Sequence, residues 1–375
     1  MRTIRILADD LTGALDSAAA FDGEIPVFID CPPKDVDTGI SVSVVATPTR
    51  DVPLEELSTH LQPVLAWLKS GDIAFKKVDS LLRGNTFAEV AWLINAGGFA
   101  STVFAPAFPA QGRVTVSGQQ WVIEPGNPSG LRTPTALPFG KAFGDLGDPA
   151  DIWAPDVVAD RDLDDVVAKA WLKHGPRLWC GSAGLAYALA RRLELAQRSG
   201  NTPSALTVEN NGPTVLVSAS HHPVLRKQWK VLASALKPLA LVEQASELQI
   251  GAALESVRNG AGSVWFDLSP TEQISPELAS QLLEKQTARL VAGLPKPAQL
   301  IVVGGDTLLG LCRAARVEAL LTQPSIRNGW GCARLKGGIW DGVPCYSRSG
   351  AFGGADDLFE MIRLLNGGEN SMKGN

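Results

Sequence analysis

Ile73-Ala74-Phe75-Lys76-Lys77-Val78-Asp79-Ser80-Leu81-Leu82-Arg83-Gly84-Asn85 passes from an apolar run straight into two lysines, an aspartate, a serine, an arginine and a Gly-Asn turn. The run Ile73-Ala74-Phe75 predicts a short buried strand. Charges placed directly behind a strand predict an open α/β sheet, where ligands bind beyond the carboxyl ends of the strands. The pattern suits an anion: Arg83 offers a bidentate fork to a carboxylate, Lys77 a point charge, and Asp79 an acceptor for hydroxyls. A solvated turn would carry the same charges, so the neighbouring strand ends have to decide.

Those ends repeat the pattern. Ile4 to Ala8 predicts a first strand running into Asp9-Asp10-Leu11-Thr12-Gly13-Ala14, with Thr12 as the cap of a helix that continues to Phe21. Gly13 and Ala14 leave room for a ligand or backbone at its first turn. Asp10 is the preferred functional carboxylate, because Asp9 lies one residue nearer the strand and points to the other face. A run from Ile40 to Ala46 ends in Thr47-Pro48-Thr49-Arg50, and one from Thr102 to Ala105 leads through a proline-rich loop to Gly112-Arg113. Helices are predicted over 54–68 and 87–95. Asp10, Arg50, Lys77 to Arg83 and Arg113 therefore stand at four successive strand ends, and one shared pocket is the simplest account.

A chain of 375 residues, 45% hydrophobic and 19% charged, is long enough for two domains with sizeable cores. Its formal net charge of −5 argues against nucleic acid or an anionic membrane as partner, so anion binding has to rest on a local cluster. Five widely spaced cysteines without a CxxC pair fit free thiols in a reducing compartment. The start is too short and too soon acidic for a signal peptide, and no apolar run reaches the ~20 residues of a membrane span, so a soluble cytoplasmic protein is expected. A homo-oligomer is compatible with all of this.

Residues 119–150 predict an extended loop or hairpin, followed by a strand over 150–156 and a helix over 163–173. A strand from Leu178 then enters Gly181-Ser182-Ala183-Gly184, with Ser182 as helix cap. The polar, Gly- and Pro-containing stretch 196–213 is the best boundary, giving domains over 1–205 and 212–370. Strands at 214–218, 239–242, 263–267 and 300–303 alternate with helices at 224–236, 250–259 and 277–293, which predicts a second parallel sheet with crossover helices. Helices over 308–321 and 356–365 follow. Three loops in this half are polar or glycine-rich: Ser218 to Pro223, Gly304-Gly305-Asp306-Thr307, and Ser347 to Gly354. The first offers hydroxyls and helix amides, and its adjacent His221 and His222 diverge too far to share a zinc ion. In the second, glycines let backbone amides approach phosphates, and Thr307 can cap or donate.

Together these motifs resemble the four-carbon acid sugar kinases. The resemblance covers nearly the whole chain. It rests on Ala8 to Ala14, Lys77-Val78-Asp79-Ser80 with Leu82 to Asn85, Ala105 to Pro109 with Gly112-Arg113, Gly181 to Leu185, Gly304 to Thr307, and Ser349 to Gly353. It implies two α/β domains, each a mainly parallel sheet flanked by helices, with the reaction in the cleft between them. Asp10, Arg50 and Lys77, Val78, Asp79 and Ser80 would contact the sugar acid, and Asp10 would take the substrate hydroxyl proton. Arg83 and Arg113 join this set by their position. Ser220, Gly304, Gly305, Asp306, Thr307 and Gly350 would contact ATP, and magnesium would come with the nucleotide, held chiefly by phosphates and water. The chain departs from the family where Ala219-Ser220-His221-His222 replaces Gly-Ser-x-Ser, where Asp306 replaces a glutamate, where Arg348 replaces a lysine, and in a shortened stretch between Pro324 and Pro344. A non-catalytic sugar-acid-binding or sensor protein that kept the N-terminal motifs is the alternative. A nicotinamide dehydrogenase lacks its dinucleotide fingerprint after the first strand.

Overall fold

The computed structural model describes all residues except 1, 34–39, 124–131, 148–150, 196–205, 207–210, 244–246, 259–261, 273, 328, 351 and 367–375. Most of the predicted boundary at 196–213, Ala150 of a predicted strand and Ala351 of the last glycine turn thus lie outside the described residues. The chain divides into two compact units, residues 1–199 and 200–375.

The first unit carries strands β1 (Ile4–Ala8), β2 (Pro26–Ile29), β3 (Val42–Ala46), β4 (Ile73–Lys77), β5 (Ser101–Ala105), β6 (Arg113–Val116), β7 (Gln119–Ile123), β8 (Arg132–Pro134), β9 (Ile152–Trp153) and β10 (Arg177–Gly181). Its α-helices are α1 (Leu11–Ala18), α2 (Leu57–Lys69), α3 (Thr86–Gly97), α4 (Phe139–Gly144), α5 (Asp160–Trp171) and α6 (Ala183–Arg192). Strands β2-β3-β1-β4-β10-β5-β9 form a wholly parallel sheet. Every residue of β1, β3 and β4 is buried, as expected of parallel strands covered on both faces. The register aligns the carboxyl ends: Ala8 lies opposite Ala46 and Lys77, Lys77 opposite Gly181, and Gly181 opposite Ala105. The loops that follow these residues leave one edge of the sheet together.

Several local expectations need correction. β4 extends two residues past Phe75, so both lysines belong to the ladder and alternation sends them to opposite faces. Lys76 points into the interior and pairs with Glu89 of α3, both wholly buried, so it is not part of an anion site. Asp10, not Thr12, caps α1. Its carboxylate accepts the Gly13 amide at 2.9 Å, whereas Thr12 already sits inside the first turn, beyond the position from which a cap reaches back. The region 119–150 is only partly a hairpin. β6 and β7 join through Ser117 and Gly118, both at positive φ as a primed turn demands, and β8 completes a three-stranded antiparallel sheet. The unforeseen α4 sets Phe139 and Phe143 edge-on to Phe104 at 5.1 and 5.2 Å.

The second unit carries β11 (Thr214–Ser218), β12 (Ala240–Val242), β13 (Ser263–Asp267), β14 (Gln299–Val303), β15 (Ala319–Gln323), β16 (Gly331–Lys336) and β17 (Pro344–Arg348). Its helices are α7 (Pro223–Ala235), α8 (Glu247–Arg258), α9 (Pro276–Gly293), α10 (Gly305–Ala314) and α11 (Asp357–Leu365). Strands β12-β13-β11-β14-β17 are parallel, and β16 and β15 add antiparallel strands beside β17. The helix predicted over 308–321 ends at Ala314. Arg316 takes a positive φ that ends the helical path, and Ala319 to Gln323 pairs with β16 instead. Ser347 and Arg348, read as part of a glycine-rich turn, are the last residues of β17.

Among the described residues no helix is long and apolar enough to cross a membrane. Cys31 is exposed, and Cys180, Cys312, Cys332 and Cys345 are buried; all five are free thiols.

Candidate functional sites

In the first unit the edge formed by β1, β3 and β4 gathers Asp9, Asp10, Arg50, Lys77, Asp79 and Arg83. Arg50 is the hub. Its Nε donates to Asp9 Oδ2 at 2.8 Å, Nη1 to Asp10 Oδ2 at 3.1 Å, and Nη2 lies 2.8 Å from Asp10 Oδ1 and 3.8 Å from Asp79 Oδ1. Asp9 therefore shares the site with Asp10 instead of facing away, because it lies past Ala8, the last ladder residue, where the alternation rule lapses. Burial works against the charge of Arg50, yet Asp10, Asp9 and Asp79 together hold it firmly protonated. Burial also raises both aspartates. For Asp9, Arg50, Lys76 and Lys77 overcome it and the net shift is down, whereas Asp10 stays above the usual range because the charge of Asp9 adds to its burial.

The Gly-Asn turn fixes this hub from below. Asn85 Nδ2 donates to the Thr49 and Val52 carbonyls at 2.9 and 2.7 Å, and its amide donates to the Arg50 carbonyl at 2.8 Å. Gly84 has φ +63°, and a Cβ there would stand 2.1 Å from the Arg50 carbonyl oxygen. These two motif residues position Arg50; they offer nothing to a ligand.

Arg83 turns its fork inward, not onto free space. Nε and Nη2 each donate to Asp79 at 2.8 Å, and Asp79 Oδ2 also accepts the Leu81 and Arg83 amides at 3.2 Å. Burial would raise Asp79, but the Arg83 hydrogen bonds and the charges of Arg50, Arg83 and Lys77 hold it far below the carboxylate range. The Val78 side chain is buried in the core and its amide donates to the Gly181 carbonyl at 2.9 Å. The Ser80 carbonyl accepts Gln120 Nε2 from β7 at 2.8 Å, which ties the hairpin to the loop. Arg113, at the start of β6, donates to the Gln111 carbonyl and is electrostatically coupled to Asp79 and Arg83, so it belongs to the same cluster.

Lys77 differs from its neighbours. It is 5% exposed, and among the described residues its side chain makes no ion pair or hydrogen bond. It lies against α1, where a Cβ on Gly13 would stand 2.6 Å from Lys77 Nζ and 2.5 Å from Asp10 Oδ1. Glycine at position 13 is what admits the ammonium group. Asp16, unmarked by the sequence reading, lies one turn further along the same helix; spacing of three from Gly13 was the signal that could have found it.

In the second unit the three polar loops follow β11, β14 and β17, which are adjacent, with Val303 opposite both Ser218 and Arg348. Gly304 takes φ +119° and opens α10, its amide donating to the Arg348 carbonyl at 2.9 Å. Gly304 is therefore the cap position, and Thr307, expected as cap or donor, is buried inside the first turn. Asp306 is exposed there. A Cβ on Gly350 would stand 2.7 Å from Ser220 Oγ, so these two predicted nucleotide residues are in contact distance of one another. The Ser220 carbonyl accepts Arg226 Nη2 at 2.8 Å, and Asp267, the last residue of β13, and Ser269 just beyond it accept Nη1 of the same guanidinium at 2.5 and 3.1 Å.

Below these loops lies Arg348, wholly buried and stacked on Trp330 at 4.8 Å. It donates to the Phe352 carbonyl and to Gln228 Oε1, and lies 3.3 Å from Asp357. Gln228 Nε2 in turn donates to the Phe352 and Gly354 carbonyls at 3.1 and 2.6 Å. Desolvation, opposed by Asp357 and reinforced by Arg327, lowers Arg348 to about 10, so it keeps its charge at neutral pH. Among the described residues no group of three His, Cys, Asp or Glu side chains is placed to hold a metal ion.

Comparison with known proteins matches a family model to each unit. A family model described as a sugar-binding N-terminal domain matches residues 4–137, and one described as a nucleotide-binding C-terminal domain matches residues 215–358. The chain is 26% identical to the D-threonate kinase of Cupriavidus necator, aligned over 96% of this chain and 97% of that one. It is 24% identical to the 3-oxo-tetronate kinase of Pseudomonas fluorescens, over 97% of each. Among solved structures, a Salmonella typhimurium LT2 protein crystallised under the name of a tRNA synthase superposes with a TM-score of 0.72 at 20% identity, covering 97% of this chain and 99% of its own, which speaks for the fold alone. With both domains matched in order and full-length relatives of this activity, the chain belongs to the four-carbon acid sugar kinase family.

Proposed function

We propose that this protein uses ATP to phosphorylate a hydroxyl of a four-carbon acid sugar such as threonate, erythronate or an oxo-tetronate. The single observation that carries the substrate class is Lys77: a buried ammonium group at a strand end that makes no direct ion pair among the described residues, with Asp9, Asp10, Asp16 and Asp79 acting on it only at longer range, beside an Arg50 already paired with Asp9 and Asp10. A small carboxylate would supply the direct ion pair that the Lys77 side chain does not make within the described residues. Asp10, Arg50 and Ser80 would surround the rest of the acid sugar, with Asp79, Arg83 and Arg113 at its rim.

The glycine-based loops of the second unit suit phosphates. Amides at the N-terminus of α10 and the Gly350 turn against Ser220 provide donors without side-chain bulk, and a helix N-terminus favours anions. Transfer then requires the acid sugar held by the first unit to meet the nucleotide held by the second. Phosphoryl transfer asks the protein mainly for positioning and charge neutralisation, which is what these groups supply. Magnesium would enter with the nucleotide, held chiefly by phosphate oxygens and water. A screen for ADP release against a panel of four-carbon sugar acids tests the reading. Turnover with at least one acid is expected, and a folded protein that binds ATP but turns over none would refute it.

A further inference from the structure

We propose that Asp16 is the general base that takes the substrate hydroxyl proton, while Asp10 serves to hold Arg50 and the first turn of α1. This assignment rests on the kinase reading above and departs from the sequence expectation for Asp10.

Gly13 and Asp16 stand three residues apart and so are neighbours on one face of α1, while Asp10 caps its start and acts on Asp16 through its charge. That face is the one against which Lys77 lies, as the close approach of its Nζ to Gly13 records. Asp10 has little left to offer. Its Oδ1 accepts the Gly13 amide at 2.9 Å and lies 2.8 Å from Arg50 Nη2, and its Oδ2 accepts Arg50 Nη1 at 3.1 Å. A carboxylate already engaged through both oxygens by a guanidinium can gain a proton only by giving up part of that pairing. Asp16 is accessible to solvent and makes no ion pair or hydrogen bond among the described residues.

The groups around Asp16 suit a base. Asp10 and Asp9 lie towards the start of its helix and are held by Arg50, Lys77 approaches from β4, and Tyr187 approaches from α6, which packs on α1. Arg5 of β1 is directed away, bonded to the Ile40 carbonyl at 2.8 Å; β2 and β3 present no ionisable side chain. Phe108 lies 6.3 Å from the Tyr187 ring and closes that side. Although the Asp16 side chain reaches solvent, the protein crowded around it, opposed by Lys77 and reinforced by Asp10, pushes it up to about 6. A base poised near the working pH combines availability with driving force.

In the step, the hydroxyl proton passes to an Asp16 carboxylate oxygen and the substrate oxygen bonds to the γ-phosphorus of ATP. The bond from that phosphorus to the β,γ-bridging oxygen breaks, its electron pair leaving with ADP. Asp16 then releases its proton to solvent.

Steady-state kinetics of Asp16→Asn, Asp16→Glu and Asp10→Asn against pH test the assignment. D16N should lower kcat by roughly 10²–10⁴-fold, leave both KM values within about threefold, and abolish the acid limb near pH 6 in the kcat/KM profile. D16E should restore part of kcat and the limb, and D10N should chiefly raise KM for the acid and keep the limb. With an active wild type, a D16N enzyme within about threefold in kcat and with its limb intact overturns the role of Asp16 alone, as does a limb that disappears only in D10N. A wild type that releases no ADP with any four-carbon acid overturns the kinase reading and this assignment together.

Discussion

The two candidate half-sites sit at equivalent places, the carboxyl ends of parallel strands, yet they are built in opposite ways. In the first unit the charged side chains gather at the strand ends themselves, where Arg50 and Arg83 pair with Asp9, Asp10 and Asp79 and Lys77 and Arg113 lie close by. In the second unit the candidate nucleotide-binding groups are glycines and backbone amides, and Arg348 is buried beneath them as a support. The difference teaches where each kind of damage should appear. Loss of a charge in the first unit should weaken acid-sugar saturation and leave the fold intact; loss of a charge in the second should cost stability and deform the nucleotide loops.

The largest effect is expected from Arg348→Met. Removing one partner of a buried charged network leaves Gln228, Asp357 and the Phe352 carbonyl short of a donor, a loss of about 3 kcal/mol. Chemical denaturation should read this loss of stability, and KM for ATP should rise while KM for the acid sugar holds. An unchanged midpoint would contradict the supporting role. Gly350→Ala tests the same half with less damage. Its new methyl must displace Ser220, so ATP saturation should weaken roughly tenfold through misplacement, and equal KM values for wild type and variant would show that the contact is dispensable. Arg83→Ala is the smallest change. The guanidinium is 58% exposed and already spent on Asp79, so acid-sugar KM should move less than about fivefold; a larger rise would mean that Arg83 leaves Asp79 to grip the substrate.

Much of this organisation was legible in the residues because it depends on local chemistry. Apolar runs ending in charge or glycine mark strand ends, and β1, β4, β10, β13 and β14 all lie where such runs stand. Less visible were features set by partners distant in sequence. Nothing local says that Ala319 to Gln323 leaves a helical pattern to pair with β16, since Leu320 and Leu321 satisfy a helix as well as a strand. The pairing of Lys76 with Glu89 depends on α3 folding back over β4, and Arg348 reads as a turn residue until β17 places it under the loop. The residues that gather at the strand ends were legible as a set, but the contacts among them were not. Arg83 and Lys77 look interchangeable as cations in the sequence, and only the positions of Asp79 and Gly13 show that one is already paired and the other is not.

That distinction is tested most directly by the Lys77→Met enzyme, with saturation measured for both substrates. Loss of a charged hydrogen bond of about 1.5–3 kcal/mol predicts a rise of roughly 10–100-fold in KM for the acid sugar, with KM for ATP within about threefold of wild type and no loss of thermal stability. Equal rises in both constants would place Lys77 on the phosphates, and unchanged acid saturation would contradict the claim that this unpaired ammonium is what the acid sugar binds.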